Sequence, residues 1–343
     1  MNTEIRAFLN DHLSALDFRY DPIHKGGSDR SFYRVRLPNG QTFIFMQYGT
    51  DVEENAYWAD INRFLFDLGI PTPHIIAYDS RRHLLLMEDL GETDLYGLRT
   101  EPWHRRRTYY LKALSEIHRL HRFPAGDLPS AMKLSPGYDR ALYTWEHHYF
   151  RENFIEAVCR LSLSDTVIRA LTAEWCALTD RLLGVSACLI HRDFQSQNIM
   201  IKNDRPVFID FQGMRMGNFF YDLGSLICDP YVGLTQAERN ELVAFYYRIL
   251  EPAYSLDRFI EYFWDAAAQR LMQALGAYGF LGLKKGKTDF LAHTENGVRN
   301  LITATAQSDN FPVLNDIAKT CLELLTQQKQ SSLEGRPTLT REA

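Results

Sequence analysis

The stretch Leu189-Ile190-His191-Arg192-Asp193-Phe194-Gln195-Ser196-Gln197-Asn198-Ile199-Met200, with Phe208-Ile209-Asp210-Phe211-Gln212 shortly after it, decides how this chain is read. Apolar residues flank the polar ones, and Asn203-Asp204 separates two β-like runs, 198–202 and 206–209, so a short hairpin is expected between Asn198 and Asp210. Taken singly, Asp193, Asn198 and Asp210 are ordinary loop residues, because Asp and Asn are common turn formers. Together on one hairpin they supply what phosphoryl transfer needs: a carboxylate beside an attacking hydroxyl, and oxygen ligands for magnesium beside nucleotide phosphates.

Outward from that island the pattern divides. Upstream, 31–37 and 41–48 flank Pro38-Asn39-Gly40 and read as a hairpin. Residues 53–68 carry Tyr57, Ile61, Phe64, Leu65 and Leu68 at helical spacing, stopped by Gly69. A second hairpin, 74–78 with 83–87, ends at Glu88-Asp89-Leu90-Gly91. Downstream the periodicity is helical over 103–121, 138–160, 165–183, 235–250, 256–275 and 310–328. The expected class is α+β, with a β-rich unit over 1–90, a mostly helical unit over 91–329 and a flexible tail over 330–343.

Composition narrows the function. The 343 residues are 45% hydrophobic and 24% charged, enough to bury a core, which excludes a disordered chain or a coiled coil. Lys and Arg number 38 against 43 acids, so no global basic field favours a phosphate backbone, and no nucleic-acid partner is expected. The cysteines Cys159, Cys176, Cys188, Cys228 and Cys321 form no C-x-x-C pair and read as reduced thiols. Glu4, Arg6 and Asp11 interrupt the N-terminal apolar residues, and no run approaches a membrane span, so a cytoplasmic protein without a membrane partner is expected.

The block over 191–212 nearly reproduces the H-R-D-L-x-x-x-N and D-F-G signatures of protein kinases. With Gly27-Ser28-Asp29-Arg30-Ser31-Phe32-Tyr33-Arg34-Val35 and Met87-Glu88-Asp89-Leu90-Gly91, it resembles the aminoglycoside phosphotransferase and choline kinase superfamily over roughly residues 23–301. Gln269-Arg270-Leu271-Met272-Gln273-Ala274-Leu275-Gly276 resembles its branch of anomeric sugar kinases acting on N-acetylmuramate and N-acetylglucosamine. The resemblance implies a bilobal protein kinase-like fold, a nucleotide-binding lobe over 1–90 and a catalytic and acceptor-binding lobe over 91–329. It implies an ATP- and Mg2+-dependent kinase that phosphorylates a small-molecule amino sugar at C1, working as a monomer. Asp193 would orient and deprotonate the acceptor hydroxyl, and Asn198 and Asp210 would hold Mg2+. Gly26, Gly27, Ser28, Asp29, Arg30, Ser31 and Arg34 would cover the nucleotide phosphates, and Met87, Glu88, Asp89 and Leu90 would form the hinge against adenine. His191 would brace the loop, and Asp222 would hydrogen-bond its backbone.

The chain departs from the protein kinase pattern at two places. Met46 in Phe43-Ile44-Phe45-Met46-Gln47 stands where a phosphate-pairing lysine is expected, and Gln212 stands where a glycine follows Asp-Phe. The sugar kinases that the chain resembles share both features, and Lys25, Arg30 and Arg34 are the cations near enough in sequence to substitute. Gly282-Leu283-Lys284-Lys285-Gly286-Lys287-Thr288 is one residue short of a P-loop and follows a helical pattern, so it reads as a basic loop. Trp145, Glu146, His148, Tyr149 and Phe150 form a polar-aromatic cluster, from which Glu146 and Tyr149, with Asp229 and Arg270 elsewhere, are the candidate acceptor contacts. Two other readings stay open: an aminoglycoside or choline-type kinase, and a nucleotide-binding regulator of low activity.

Overall fold

The computed structural model describes residues 3–13, 17–23 and 30–334, and the polypeptide divides into two units by packing. The first comprises residues 1–137, 187–222 and 244–251; the second comprises 138–186, 223–243 and 252–343. The sheet does end near residue 90, as read from sequence. The unit boundary lies elsewhere, because the island after residue 187 packs with the sheet's own unit.

The first unit opens with α1 (Thr3–Leu13) and an antiparallel five-stranded sheet. Its strands are β1 (Arg19–Ile23), β2 (Ser31–Arg36), β3 (Thr42–Gln47), β4 (Ile75–Asp79) and β5 (Leu84–Glu88), in the order β1-β2-β3-β5-β4. Gly40 takes φ +88° in the β2–β3 turn, a conformation that Gly adopts at little cost. Side chains alternate across each strand. Val35, Phe45, Leu84 and Leu86 pack under Phe8 and Leu9 of α1. The opposite face carries two registered rows, Phe32-Met46-Leu85 and Arg34-Ile44-Met87. α1 and β1 went unread in the sequence; β1 holds Pro22 and lies at a sheet edge, where a missing N–H is tolerated.

A 3-10 turn over Glu53–Tyr57 leads into α2 (Trp58–Asp67), and α3 (Trp103–His121) coincides with its expected span. The island folds as β6 (Cys188–Ile190) paired with β9 (Arg215–Gly217), and β7 (Ile199–Lys202) paired with β8 (Arg205–Phe208). Asn203 and Asp204 both take left-handed φ, 49° and 59°, as a two-residue type I′ hairpin demands.

The second unit is built from α4 (Arg140–Phe150), α5 (Asp165–Leu183), α6 (Phe220–Ile227, shared with the first unit), α7 (Gln236–Leu250, likewise shared), α8 (Leu256–Gly279), α9 (Thr294–Ala306) and α10 (Pro312–Glu334). Side-chain caps set the starts: Asp139 accepts from the Leu142 N–H and Ser164 from the Val167 N–H. Thr235 and Glu238 form a reciprocal capping box. α10 runs to Glu334, into the stretch expected to be a flexible tail; the rest of that tail lies outside the described residues.

The helix expected over 138–160 does not run through. After Phe150 it widens into a π-helical turn over Arg151–Glu156. Gly279 of α8 meets that turn so closely that an added Cβ would lie 2.0 Å from the Asn153 carbonyl oxygen. Gly279→Ala is therefore expected to cost about 2–4 kcal/mol of stability by overpacking against backbone, read as a lowered urea midpoint with an unchanged slope.

Candidate active site

The loop that follows β6 is shaped by a carboxylate from α6. Asp222, fully buried, accepts the His191 N–H at 2.7 Å and the Arg192 N–H at 2.8 Å, and also meets His121 Nε2 at 3.0 Å. His121 Nδ1 lies 2.6 Å from the Tyr246 hydroxyl, so the carboxylate is oriented from both sides. Arg192 is held at φ +76°, a strained conformation for a non-glycine residue, which aims the chain at Asp193. The role read for Asp222 in the sequence is the one it plays. His191 donates through Nε2 to the Ile209 carbonyl at 3.1 Å and packs against Phe194 and Phe208, bracing the loop as expected.

The three residues read as a constellation lie on one hydrogen-bonded platform within the first unit. The Asn198 side-chain amide donates to the Asp193 carbonyl at 2.9 Å, and the Ile209 N–H donates to the Asn198 carbonyl at 3.0 Å. Asp210, next in the chain, takes left-handed φ +64° and has a side chain one-third exposed. One Asp193 carboxylate oxygen accepts from Arg192 Nη1 at 2.8 Å. Because the Asn198 NH2 is committed to Asp193, its Oδ1 is the end left to face a cation. The described residues hold no cluster of three or more His, Cys, Asp or Glu. One carboxylate and one amide oxygen form a small, hard donor set, suited to a Mg2+ that keeps waters and phosphate oxygens as its other ligands. The residues thus fit the ion that the resemblance implies.

Asp210 Oδ1 accepts from Gln212 Nε2 at 3.1 Å and from Arg30 Nη2, while Arg30 Nη1 donates to Gln212 Oε1 at 2.9 Å. Arg30 immediately precedes β2; Gly26, Gly27, Ser28 and Asp29, with Lys25, lie outside the described residues. Ser31 opens β2. Arg34 is held by the segment that follows β5. Its Nε meets Asp89 Oδ2 at 2.8 Å, and Nη2 meets Asp89 Oδ1 at 3.2 Å and the Gly91 carbonyl at 3.0 Å. Nη1 pairs with Glu92.

At the end of β5, Lys202 bonds Glu88 at 2.6 Å and the Asp89 carbonyl at 2.8 Å, and the Glu88 N–H donates to the His74 carbonyl. Met87 lies on the apolar sheet face, while Leu90 packs with Met200, Val207 and Ile209. Burial would raise the Asp89 carboxyl, but the Gly91 N–H and Arg34 outweigh it and hold it below its usual range. Lys202 and the His74 N–H do the same for Glu88 against its own burial.

Sequence reading missed the helix-start contacts. Glu54 accepts from Ser135 Oγ at 2.7 Å and from Arg215 at 3.1 Å, and Arg215 also holds the Gly213 carbonyl. Trp58 packs against Phe211 with tilted rings whose centroids lie 5.0 Å apart, so α2 grips the segment after Asp210. Spacing along one chain carries no signal for such pairs.

In the second unit, Glu146 is buried, accepting from Tyr138 at 2.9 Å and from Gln269 at 2.9 Å. His147 donates to Gln269 at 2.7 Å and stacks on Trp175; burial pulls its pKa down to about 4, so it is neutral at pH 7. Asp229 is buried and accepts from the Tyr231 N–H, and Arg270 is buried against Ser225 and Gln273. Tyr149 is the partly exposed candidate, stacked on Trp145 at 4.8 Å.

Known proteins share this fold. The model of the phosphotransferase enzyme family matches residues 20–260. The chain belongs to that family. It is an ATP-dependent phosphotransferase with a hydroxyl acceptor, on a kinase-like α+β fold. An N-acetylmuramate/N-acetylglucosamine kinase of Neisseria meningitidis serogroup B is 24% identical over 270 residues, 76% of this chain and 78% of the relative. The fold is similar to a choline/ethanolamine kinase family protein from Mesorhizobium loti, with TM-score 0.61 and 13% identity over 93% of this chain and 98% of that one. An ADP-bound aminoglycoside phosphotransferase aligns with TM-score 0.56 and 12% identity, over 88% of this chain and 98% of that one. Among the described residues no helix is long and apolar enough to cross a membrane.

Two outcomes follow from this geometry. Asp222→Asn places an amide donor against backbone N–H groups, so kcat is expected to fall at least about 100-fold with acceptor KM within a few-fold, and stability to drop by about 1–3 kcal/mol. Arg34→Gln acts through pH. Depressed carboxyls stabilise the fold above their unfolded pKa of about 4 and lose that contribution as pH falls through their lower folded values. The variant is expected to be less stable than wild type at pH 7, with the gap in denaturation midpoint closing as the pH falls below about 4.

Proposed function

We propose that this enzyme transfers the ATP γ-phosphoryl group to C1 of an N-acetylated amino sugar, N-acetylglucosamine or N-acetylmuramate. The observation that carries the transfer is the platform joining Asp193, Asn198 and Asp210 through the Asn198 amide and the Ile209 N–H. Asp193 receives the acceptor proton, and the Glu88 carbonyl and Leu90 N–H meet the adenine edge, beside the apolar residues Met87, Met200 and Val207. Asn198 Oδ1 and Asp210 hold Mg2+, which when bound supplies positive charge to the phosphates. An anomeric hydroxyl is more acidic than an ordinary alcohol, so a carboxylate suffices as its base.

Support for an amino sugar comes from two directions. The Neisseria relative carries that activity in its name. Glu146 and Asp229, the acidic candidates, are both buried and hydrogen-bonded, so neither forms the exposed acidic wall that a polycationic antibiotic would seek. Tyr149 and Trp145 offer a partly exposed stacked pair that suits the C–H face of a sugar ring, with Glu146, Asp229 and Arg270 carried as further acceptor-site residues.

Purified enzyme with ATP and Mg2+, given N-acetyl hexosamines, aminoglycosides and choline, is expected to phosphorylate the first group, with phosphorus coupling to the anomeric proton in the product NMR spectrum. Phosphorylation of choline or an aminoglycoside alone would overturn the sugar assignment. Asp193→Asn is expected to lower kcat by about 10²–10⁴ while leaving nucleotide affinity within a few-fold.

A further inference from the structure

We infer that Arg30 is the cation that meets the nucleotide phosphates in place of the lysine that β3 lacks, and that it competes with the divalent ion for Asp210. This rests on the proposed function. The position expected to carry the lysine is Met46, fully buried between Phe32 and Leu85 in the sheet register, so no charge comes from that row. Four described cations of the first unit are engaged elsewhere: Arg34 with Asp89, Lys202 with Glu88, Arg215 with Glu54, and Arg192 with Asp193.

Arg30 differs in the identity of its partner. Its guanidinium, 7% exposed, forks between Gln212 Oε1 and Asp210, the carboxylate assigned to the metal. Gln212 completes the triangle by donating to the same Asp210 oxygen at 3.1 Å. The two departures from the protein kinase pattern thereby become one compensated change. The lysine is missing from β3, and the glutamine in place of glycine anchors an arginine that immediately precedes β2. Arg30 occupies Asp210 Oδ1, so it would have to leave that oxygen for a divalent ion to use it. The freed guanidinium retains a planar set of donors suited to two phosphate oxygens.

The proposal makes two affinities move in opposite directions. Arg30→Gln removes the competitor, so Mn2+ binding to nucleotide-free protein, followed by electron paramagnetic resonance of the free ion, is expected to tighten at least threefold. Binding of a non-hydrolysable ATP analogue with Mg2+, followed by calorimetry, is expected to weaken at least tenfold, with kcat falling about 100-fold. Met46→Lys in the Arg30→Gln background is expected to recover at least tenfold of the lost kcat. Analogue affinity within twofold of wild type, or both affinities falling together, would overturn the inference. Should Arg30→Gln not fold, Arg30→Lys serves in its place. One ammonium cannot span Gln212 and Asp210 as the fork does, so Mn2+ binding tightens while analogue affinity stays within about fivefold; weakened analogue binding with unchanged Mn2+ affinity refutes the idea. Asp210→Asn separates the two levels: if it binds Mn2+ as wild type does, the metal assignment itself fails, whatever Arg30 does.

Discussion

The site depends on one buried carboxylate. Asp222 gathers the N–H groups of His191 and Arg192, and in doing so holds Arg192 at a left-handed φ that few side chains adopt unaided. Two charge-assisted hydrogen bonds in a dry environment are each worth more than a neutral one, enough to offset backbone strain of about 1–3 kcal/mol. From that bend the order propagates outward. Asp193 receives the Asn198 amide on its carbonyl, Asn198 receives the Ile209 N–H, and Asp210 follows, so the placement of these three residues is inherited through hydrogen bonds to backbone. His121 and Tyr246 secure the carboxylate from behind, linking α3 and the end of α7 to the loop.

Charge balance is the second constraint. Glu54, Glu88, Asp89, Asp193 and Asp210 are all in the first unit, and each faces a basic side chain. Four of the five pairings brace the segment after β5, the start of α2 and the loop after β6. The fifth joins Arg30 to a carboxylate with another use. Burial by itself raises a carboxyl's pKa; at Asp89 the Gly91 N–H and Arg34, and at Glu88 Lys202 and the His74 N–H, outweigh it and hold both below the usual carboxylate range.

The second unit puts its polar groups to a different use. α8 is buried around nearly its whole circumference, and Asp265, Gln269, Arg270 and Gln273 occupy its interior positions. Each has a named partner: Arg181 for Asp265, Glu146 and His147 for Gln269, and Ser225 and Gln273 for Arg270. Satisfied networks of this kind specify one packing arrangement, since any slip leaves a buried donor unpaired. They explain why residues that read as acceptor contacts in the sequence are found deep in the helical core.

Local pattern made much of this molecule legible. The α3 and α5 spans, both hairpins of the sheet and the type I′ turn at Asn203-Asp204 follow from periodicity and turn chemistry, which act over neighbouring residues. The clustering of Asp193, Asn198 and Asp210 was legible because a hairpin brings close what lies close in the chain. What stayed hidden involves partners far apart in sequence. The pairs Arg30–Asp210, Arg34–Asp89, Glu54–Arg215 and His121–Asp222 span long loops, and no spacing rule links them. The break of α4 at Phe150 was equally invisible, since it is met by a glycine on another helix. The amino-acid sequence alone determined which residues could do chemistry and which local elements carry them. Only the tertiary structure decided which charge answers which, because ion pairing depends on distance through space.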